Sequence, residues 1–282
     1  MGSVLSRSLR MLVADARARL AYVAASCLAL MLLAVLIMEL WYLSAPLYEI
    51  DISGLSMGDN MALLFLGCRP FEFRPGILFL PPLPWLLLVS SLLALSVMGE
   101  RTGGLEHVRM AALGSRSAWW VCRCVRVAAL VVVEISALVL AVCAWSAAHG
   151  QELTWSLHRS LFYFEGVSVR SDIAFPLSGV PFFISCALAV LALAQIQQVV
   201  AWFSQVAVAL IASCGFLIAS SYACASALCA NALMAARWEG VSTQSVSMPE
   251  ALLVACVLAC VLLGAGWAAC RRRDLMERGG SR

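Results

Sequence analysis

The sequence predicts an all-α protein that crosses a membrane six times, and three observations lead to this prediction. From residue 173 to residue 236 the chain runs 64 residues without one Asp, Glu, Lys or Arg. A bilayer core of ~30 Å takes ~20 apolar residues per helix, so this run holds two crossings. Hydrophobic residues make up 63% of the chain and charged residues only 12%. The arginines, finally, are distributed unevenly between the apolar runs. We therefore expect a single membrane domain covering residues 1–282.

Six apolar segments are the predicted spans, and they cover about 20–44, 77–99, 119–147, 178–199, 204–226 and 250–270. We place the turn between the fourth and fifth spans at the polar residues Gln195, Gln197, Gln198 and Gln205. Residues 227–236 are too short to cross and are predicted to form a short re-entrant or interfacial helix, which protein must cover. Residues 3–19 carry leucines on one face and arginines on the other, which predicts an interfacial amphipathic helix.

The arginines also predict the orientation. With six crossings, 14 of the 19 arginines lie on the side of the two termini and five on the other side. Basic residues near span ends favour the cytoplasm, so both termini are predicted to be cytoplasmic. Aromatic rings settle at the two membrane interfaces. We expect the outer set to be Trp41, Tyr42 and Trp145, and the inner set Trp119, Trp120, Trp202 and Trp267.

Several functions are excluded or disfavoured by residue types. All 19 basic residues are arginine. A P-loop needs a lysine to reach the phosphates of a nucleotide, so any ATP must be hydrolysed by another polypeptide. The three histidines are dispersed, and we predict no metal, cofactor or nucleic-acid site. Most of the 12 cysteines lie in apolar runs, where cysteine packs as a small apolar residue. Only Cys68 and Cys229 are candidates for a disulfide.

A charged loop lies between the second and third spans. Residues 100–118 are predicted to be cytoplasmic and carry charges of both signs. Within them, 105–113 are predicted to form a short helix that turns Glu106, His107 and Arg109 away from the membrane. A plain linker between two spans would be far shorter, which favours a docking role. A solvated, positively charged loop is the alternative.

Short motifs accompany this loop and the last two spans. The loop motif is Glu100-Arg101, Gly104, Arg109, Gly114-Ser115-Arg116, Trp119-Trp120 and Arg123; the later positions are Met234, Arg237 and Arg272-Arg273-Asp274. In these positions the chain resembles the membrane subunits of type-2 ABC transporters, especially the small six-span permeases of Gram-positive bacteria. It departs from them at Glu100-Arg101, because the family commonly has the basic residue first.

The resemblance implies a non-catalytic permease subunit in the cell membrane. Two such subunits, identical or homologous, would form the pathway, and two ATPase subunits that bind Mg-ATP would dock from the cytoplasm. The exported compound would be amphipathic or hydrophobic, such as a peptide or drug. Trp119, Trp120 and then Arg123 and Arg126, reaching toward lipid headgroups, would anchor the coupling segment 100–118. Its docking residues would be Glu100, Arg101, Glu106, His107, Arg109, Ser115 and Arg116.

One acidic residue, Glu134, is predicted to lie inside the third span, where an ionised group is costly and usually faces a partner or a wet cavity. It is either a contact in the substrate pathway or a protonated carboxyl group bonded to a nearby serine or backbone group. A membrane-embedded enzyme would need polar groups on several spans. A stand-alone secondary transporter would show an internal repeat or several buried ionisable groups. Both remain alternatives, and the sequence favours the permease.

Overall fold

The structure is a computed structural model that describes residues 20–48, 52, 54–71, 80–101, 115–243 and 245–272. This part of the chain is mostly helical. Its α-helices are α1 (Leu20–Ser44), α2 (Met57–Leu64), α3 (Leu83–Arg101), α4 (Arg116–Ala148), α5 (Val180–Phe203), α6 (Val206–Tyr222) and α7 (Met248–Arg272). Short 3-10 helices occur at Ala45–Tyr48, Arg159–Glu165, Cys229–Leu233 and Ala235–Arg237. The strands β1 (Ser156–Leu157) and β2 (Leu177–Ser178) pair antiparallel.

Four of the described helices are long and apolar enough to cross a membrane. They are α1 with the 3-10 turn after it (Leu20–Leu47), α4, α5 and α7. The apolar parts of α3 and α6 are shorter, at Leu83–Met98 and Val206–Tyr222. The prediction of a mostly helical protein with apolar helices that could span a membrane is therefore confirmed. The predicted interfacial helix at 3–19 and the predicted loop helix at 105–113 lie outside the described residues.

The turn between α5 and α6 comes later than the sequence predicted. Gln195, Gln197 and Gln198 are buried inside α5, which continues to Phe203. Only Gln205 lies at the turn, where it is the N-cap residue of α6. Glutamine is a good helix former, and a buried amide does not by itself end a helix. The prediction was wrong because it took polar side chains as a boundary.

α4 and α5 form the centre of the bundle. α4 packs against α1, α3, α5 and α7, and α5 also packs against α3, α6 and α7. Two hydrogen bonds show which helix ends lie together: the Tyr22 hydroxyl donates to the carbonyl oxygen of Leu95 at 2.8 Å, and Arg116 Nη1 donates to that of Arg271 at 3.0 Å. The end of α5 links these two pairs, because its Ala201 packs with Val97 of α3 and its Val199 packs with Trp119 of α4. The beginnings of α1 and α4 and the ends of α3 and α7 therefore share one end of the bundle, which we call the base.

The opposite end is covered by a cap made of residues 54–71, 150–179, 223–243 and 245–247. Every residue of α2 is buried in it. α2 begins with a capping box, in which Ser56 Oγ accepts from the Asp59 N–H and the Asp59 carboxylate accepts from the Ser56 N–H. The N–H groups of Ala235 and Ala236 donate to carbonyl oxygens just after α2. The predicted short helix at 227–236 is thus replaced by 3-10 turns whose backbone is covered by protein.

Polar side chains tie the cap to the bundle. Asn60 Nδ2 donates to Ser146 Oγ at 2.8 Å and to Gln151 Oε1 at 2.5 Å, and the Tyr42 hydroxyl donates to Asn60 Oδ1 at 2.9 Å. Trp145 Nε1 donates to Glu39 Oε1 at 2.8 Å. These bonds join α1, α2 and α4. The predicted outer aromatic residues Tyr42 and Trp145 accordingly meet at the cap end, with ring centroids 4.5 Å apart.

Candidate functional site

A cluster of tryptophans holds the start of α4 against the end of α5 at the base. The ring centroid of Trp202 lies 5.0 Å from that of Trp119 and 6.0 Å from that of Trp120. Trp119 and Trp120 are buried, so their rings contact protein rather than the lipid-facing surface. Three of the aromatic residues predicted for the inner interface therefore pack together and bind two helices to each other.

Arg123 belongs to the same cluster. Its guanidinium carbon lies 5.6 Å from the ring centroid of Trp119 and 5.2 Å from that of Trp202, and the side chain is buried. The sequence predicted that Arg123 reaches lipid headgroups, and that prediction was wrong. Four residues after Trp119, Arg123 lies on the same face of α4, so the two side chains meet. A cation over aromatic faces is stabilised by the ring quadrupoles, more so when it is desolvated.

The first turn of α4 is also bound to the last turns of α7. Ser115 is the N-cap residue of α4, and the next residue, Arg116, makes the bond to Arg271 described above. Trp267 Nε1 donates to Ser117 Oγ at 3.1 Å. At Gly266 the α7 backbone approaches the Trp120 ring so closely that a Cβ atom there would lie 2.4 Å from the ring. Any displacement of the start of α4 must therefore move α5 and α7.

The predicted docking residues are only partly within the described residues. Glu106, His107 and Arg109 lie outside them, and Glu100 and Arg101 are the last two residues of α3. Ser115 and Arg116 are the two whose side chains are described, and both lie at the start of α4. The segment 100–118 thus connects α3 to the tryptophan cluster.

Glu134 lies in the middle of α4 and is buried among helices. Its Oε2 atom is 2.8 Å from Ser96 Oγ on α3, and Ser96 Oγ is also 2.8 Å from the carbonyl oxygen of Leu92. A serine hydroxyl carries one proton. Both contacts are satisfied when a protonated Glu134 donates to Ser96 and Ser96 donates to Leu92. Glu134 Oε1 has no hydrogen-bond partner in the described part of the chain. This geometry favours the second of the two interpretations, the protonated carboxyl group.

Arg237 is a fully buried cation at the junction between the cap and α6. It donates to the carbonyl oxygens of Ser220 at 2.5 Å and Ser221 at 2.6 Å, and to that of Cys68 at 3.0 Å. It also donates to the side-chain oxygen of Asn231. The last carbonyl groups of a helix lack helical partners and carry partial negative charge, so they compensate a cation. Sequence reasoning recorded Arg237 only as a motif position and missed this role.

The candidate disulfide between Cys68 and Cys229 is not formed. Cys68 and Cys229 are both buried and neither is in a disulfide, and Cys68 Sγ lies 3.6 Å from the carbonyl oxygen of Ser221. His158 is engaged by a carboxylate, since its Nδ1 atom lies 2.6 Å from Asp59 Oδ2. Among the described residues, no group of three or more His, Cys, Asp or Glu side chains is placed to hold a metal ion.

Comparisons of the chain with protein-family models, with curated proteins and with solved structures find no match.

Proposed function

We propose that this chain is the membrane-spanning permease subunit of an ATP-driven ABC transporter. A separate ATPase subunit docks on residues 100–118 and hydrolyses ATP, and a second permease subunit, identical or homologous, completes the pathway. The transporter exports an amphipathic or hydrophobic compound, such as a peptide or drug, across the cell membrane. The proposal rests on the motif positions in the sequence and on one structural feature, the rigid anchor at the start of α4.

The anchor supports the proposal because coupling requires a stiff connection from a docked ATPase to several spans. The tryptophan cluster and Arg123 join α4 to α5, and Arg116 and Ser117 join α4 to α7. A force applied to the loop after α3 is thereby distributed over three helices rather than absorbed in one. A loop that only connected two spans would need no such arrangement.

Six crossings with both termini in the cytoplasm are part of the proposal. α6 has 17 residues, and at 1.5 Å per residue it is ~26 Å long, a few Å less than a hydrocarbon core of ~30 Å. α3, with 19 residues, is ~28 Å long. A bilayer accommodates mismatches of this size by local thinning at modest cost. Counting α3 and α6 as spans agrees with the shared location of the start of α1 and the end of α7 at the base.

Co-purification with an ATPase tests the proposal. The permease, carrying an affinity tag, is co-expressed with a P-loop ATPase encoded beside its gene, and we expect the two to purify together in a stable ratio. Deleting residues 104–113 should abolish co-purification, because it removes the docking segment and leaves the anchor after Ser115 intact. Arg116→Glu should uncouple ATP hydrolysis from transport. Transport by the isolated chain, with no ATPase present, would refute the proposal.

A matched control separates docking from folding. Arg159 is an exposed arginine of the cap, so Arg159→Glu makes the same charge reversal at the opposite end of the bundle. It should leave both ATPase binding and coupling unchanged. Membrane insertion and a monodisperse elution profile should be retained in all three variants. Fluorescence of a green fluorescent protein fused to the C-terminus would test the cytoplasmic location of the termini.

A further inference from the structure

A cavity of about 160 Å³ lies among α3, α5, α6 and α7. Its wall is apolar almost throughout, with Leu193 of α5, Phe216 and Leu217 of α6 and Leu258 of α7 among the lining residues. An apolar cavity of ~150 Å³ is large enough to hold a benzene ring. The size and lining of this cavity therefore suit the apolar body of a small molecule.

One side chain in the wall is polar and unsatisfied. Gln197 lines the cavity and is only 1% exposed, and neither Nε2 nor Oε1 of its amide has a hydrogen-bond partner among the described residues. Burying an amide without a partner is unfavourable, and such groups are rare in native proteins. Gln195 differs, because its Nε2 donates to the carbonyl oxygen of Cys124 at 2.9 Å. The unused donor and acceptor of Gln197 call for a ligand that offers both.

Water does not fit this cavity well. A space of this size would hold several water molecules, and each needs two to four polar partners. Besides Gln197, Ser213 is the one other lining residue with a polar side chain that is not a thiol. A molecule with an apolar body and a single polar group matches the wall better than a water cluster does.

The cavity is reached from the side of the bundle. Leu258 forms part of its wall and is 40% exposed, and it lies near the middle of α7, far from either end of that helix. Ala212, another wall residue, is also exposed on α6. α7 is one of the helices long and apolar enough to cross a membrane. A lipid-soluble molecule would therefore enter between α6 and α7 from within the bilayer.

We infer that this cavity binds a small lipid-soluble molecule that has an aromatic or branched aliphatic body and a primary amide or carboxylic acid group. That group donates a hydrogen bond to Gln197 Oε1 and accepts one from Gln197 Nε2. The site is built from α3, α5, α6, α7 and Cys229 of the cap, so it does not depend on the proposed ATPase partner.

The test uses the full chain in lipid nanodiscs and two fluorinated probes. 4-Fluorobenzamide carries the amide, and 4-fluorotoluene is an apolar analogue without it. Fluorine NMR titrations, corrected with empty nanodiscs, give a Kd for each probe. We expect saturable binding of both probes to the unaltered chain. In Gln197→Met the ratio of the toluene Kd to the benzamide Kd should fall about tenfold, which is the effect of one or two hydrogen bonds.

Two further variants keep the result interpretable. Gln195→Met makes the same change two residues away, outside the cavity wall, and should leave the Kd ratio unaltered. Ala212→Phe should abolish binding of both probes by filling the entrance, and it decides the outcome if Gln197→Met does not fold. The inference is overturned if neither probe binds saturably to the unaltered chain. It is equally overturned if the Kd ratio is unchanged in Gln197→Met or falls in Gln195→Met. Saturable binding of either probe to Ala212→Phe would also overturn it.

Discussion

Removing the buried guanidinium of Arg237 should destabilise the protein more than any other single change to a charged side chain in the cap. Arg237 is 0% exposed and supplies hydrogen bonds to the carbonyl oxygens of Ser220 and Ser221 at the end of α6 and of Cys68 after α2. In Arg237→Ala these oxygens stay buried and lose their strongest donor. The cap would then be separated from α6 by unsatisfied groups and by the space the side chain had filled.

The expected loss follows from those contacts. Each buried acceptor left without a donor costs ~1–3 kcal/mol, while removal of a buried charge recovers part of that cost. With the carbonyl oxygens of Ser220, Ser221 and Cys68 and the side-chain oxygen of Asn231 all losing a donor, we expect Arg237→Ala to lower the free energy of unfolding by ~3–5 kcal/mol. At ~2–4 °C per kcal/mol for a chain of this size, the melting temperature should fall by about 10 °C. Arg237→Lys keeps the charge but cannot reproduce the planar donor array, so its loss should be intermediate.

The assay is thermal unfolding of the purified chain in detergent, followed by tryptophan fluorescence and by alkylation of cysteines. Cys68 is buried beside Arg237, so it should become reactive toward N-ethylmaleimide in Arg237→Ala well below the global transition. Arg159→Ala, at an exposed arginine of the same cap, should leave the melting temperature within about 2 °C. A melting temperature of Arg237→Ala that matched this control, with Cys68 still protected, would refute the reasoning.

Four more predictions have definite expected results. Gly266→Val should destabilise the base by ~1–3 kcal/mol, because the added side chain meets the Trp120 ring. Equal melting temperatures for Gly266→Val and the unaltered chain would contradict that contact. Asp59→Ala removes the capping box of α2 and both bonds to His158, so thermal unfolding should show the free energy of unfolding lowered by ~2–4 kcal/mol. The control Asp172→Ala, at an exposed position, should have no measurable effect. Glu134→Gln should keep the free energy of unfolding within ~1 kcal/mol of the unaltered chain, because an amide can still donate to Ser96. Glu134→Ala should lower it by ~1–3 kcal/mol. Loss of transport in a stable Glu134→Gln would instead assign a function to the ionised carboxylate. Burial raises the pKa of the Cys229 thiol to about 11. Peptide mass spectrometry should therefore find Cys229 unmodified by iodoacetamide at pH 8 in the native protein and modified after unfolding. Modification in the native protein would contradict its burial.

The location of the apolar helices could be predicted closely from the sequence. The first predicted span, 20–44, coincides with α1, and the third, 119–147, lies within α4. Hydropathy works here because the membrane acts on each stretch of ~20 residues locally, whatever the rest of the chain does. The break at Gln195 was misjudged for the same reason, since hydropathy responds to polarity and cannot detect that an amide is buried against a neighbouring helix.

The candidate site was predicted less completely. The grouping of Trp119, Trp120 and Trp202 at one end followed from their shared position near span ends, but their mutual packing did not. The sequence predicts that Arg123 reaches lipid headgroups. It shows that Arg123 follows Trp119 by four residues, but it does not show that the Trp202 ring of another helix lies against the same guanidinium group.

The order of residues along the chain decided which segments are apolar enough for a membrane, which loop is charged, and that no P-loop is present. Each of these is a property of local composition. Tertiary packing alone decided that Arg237 closes the end of α6 and that Ser96 meets Glu134. It also decided that Gln197 lies in a cavity wall with no hydrogen-bond partner in the part of the chain that the structure describes. These pairings join residues distant in sequence through helices of nearly uniform hydrophobicity. In such helices the facing direction of each side chain is set by its neighbours in the bundle and not by a pattern along the chain.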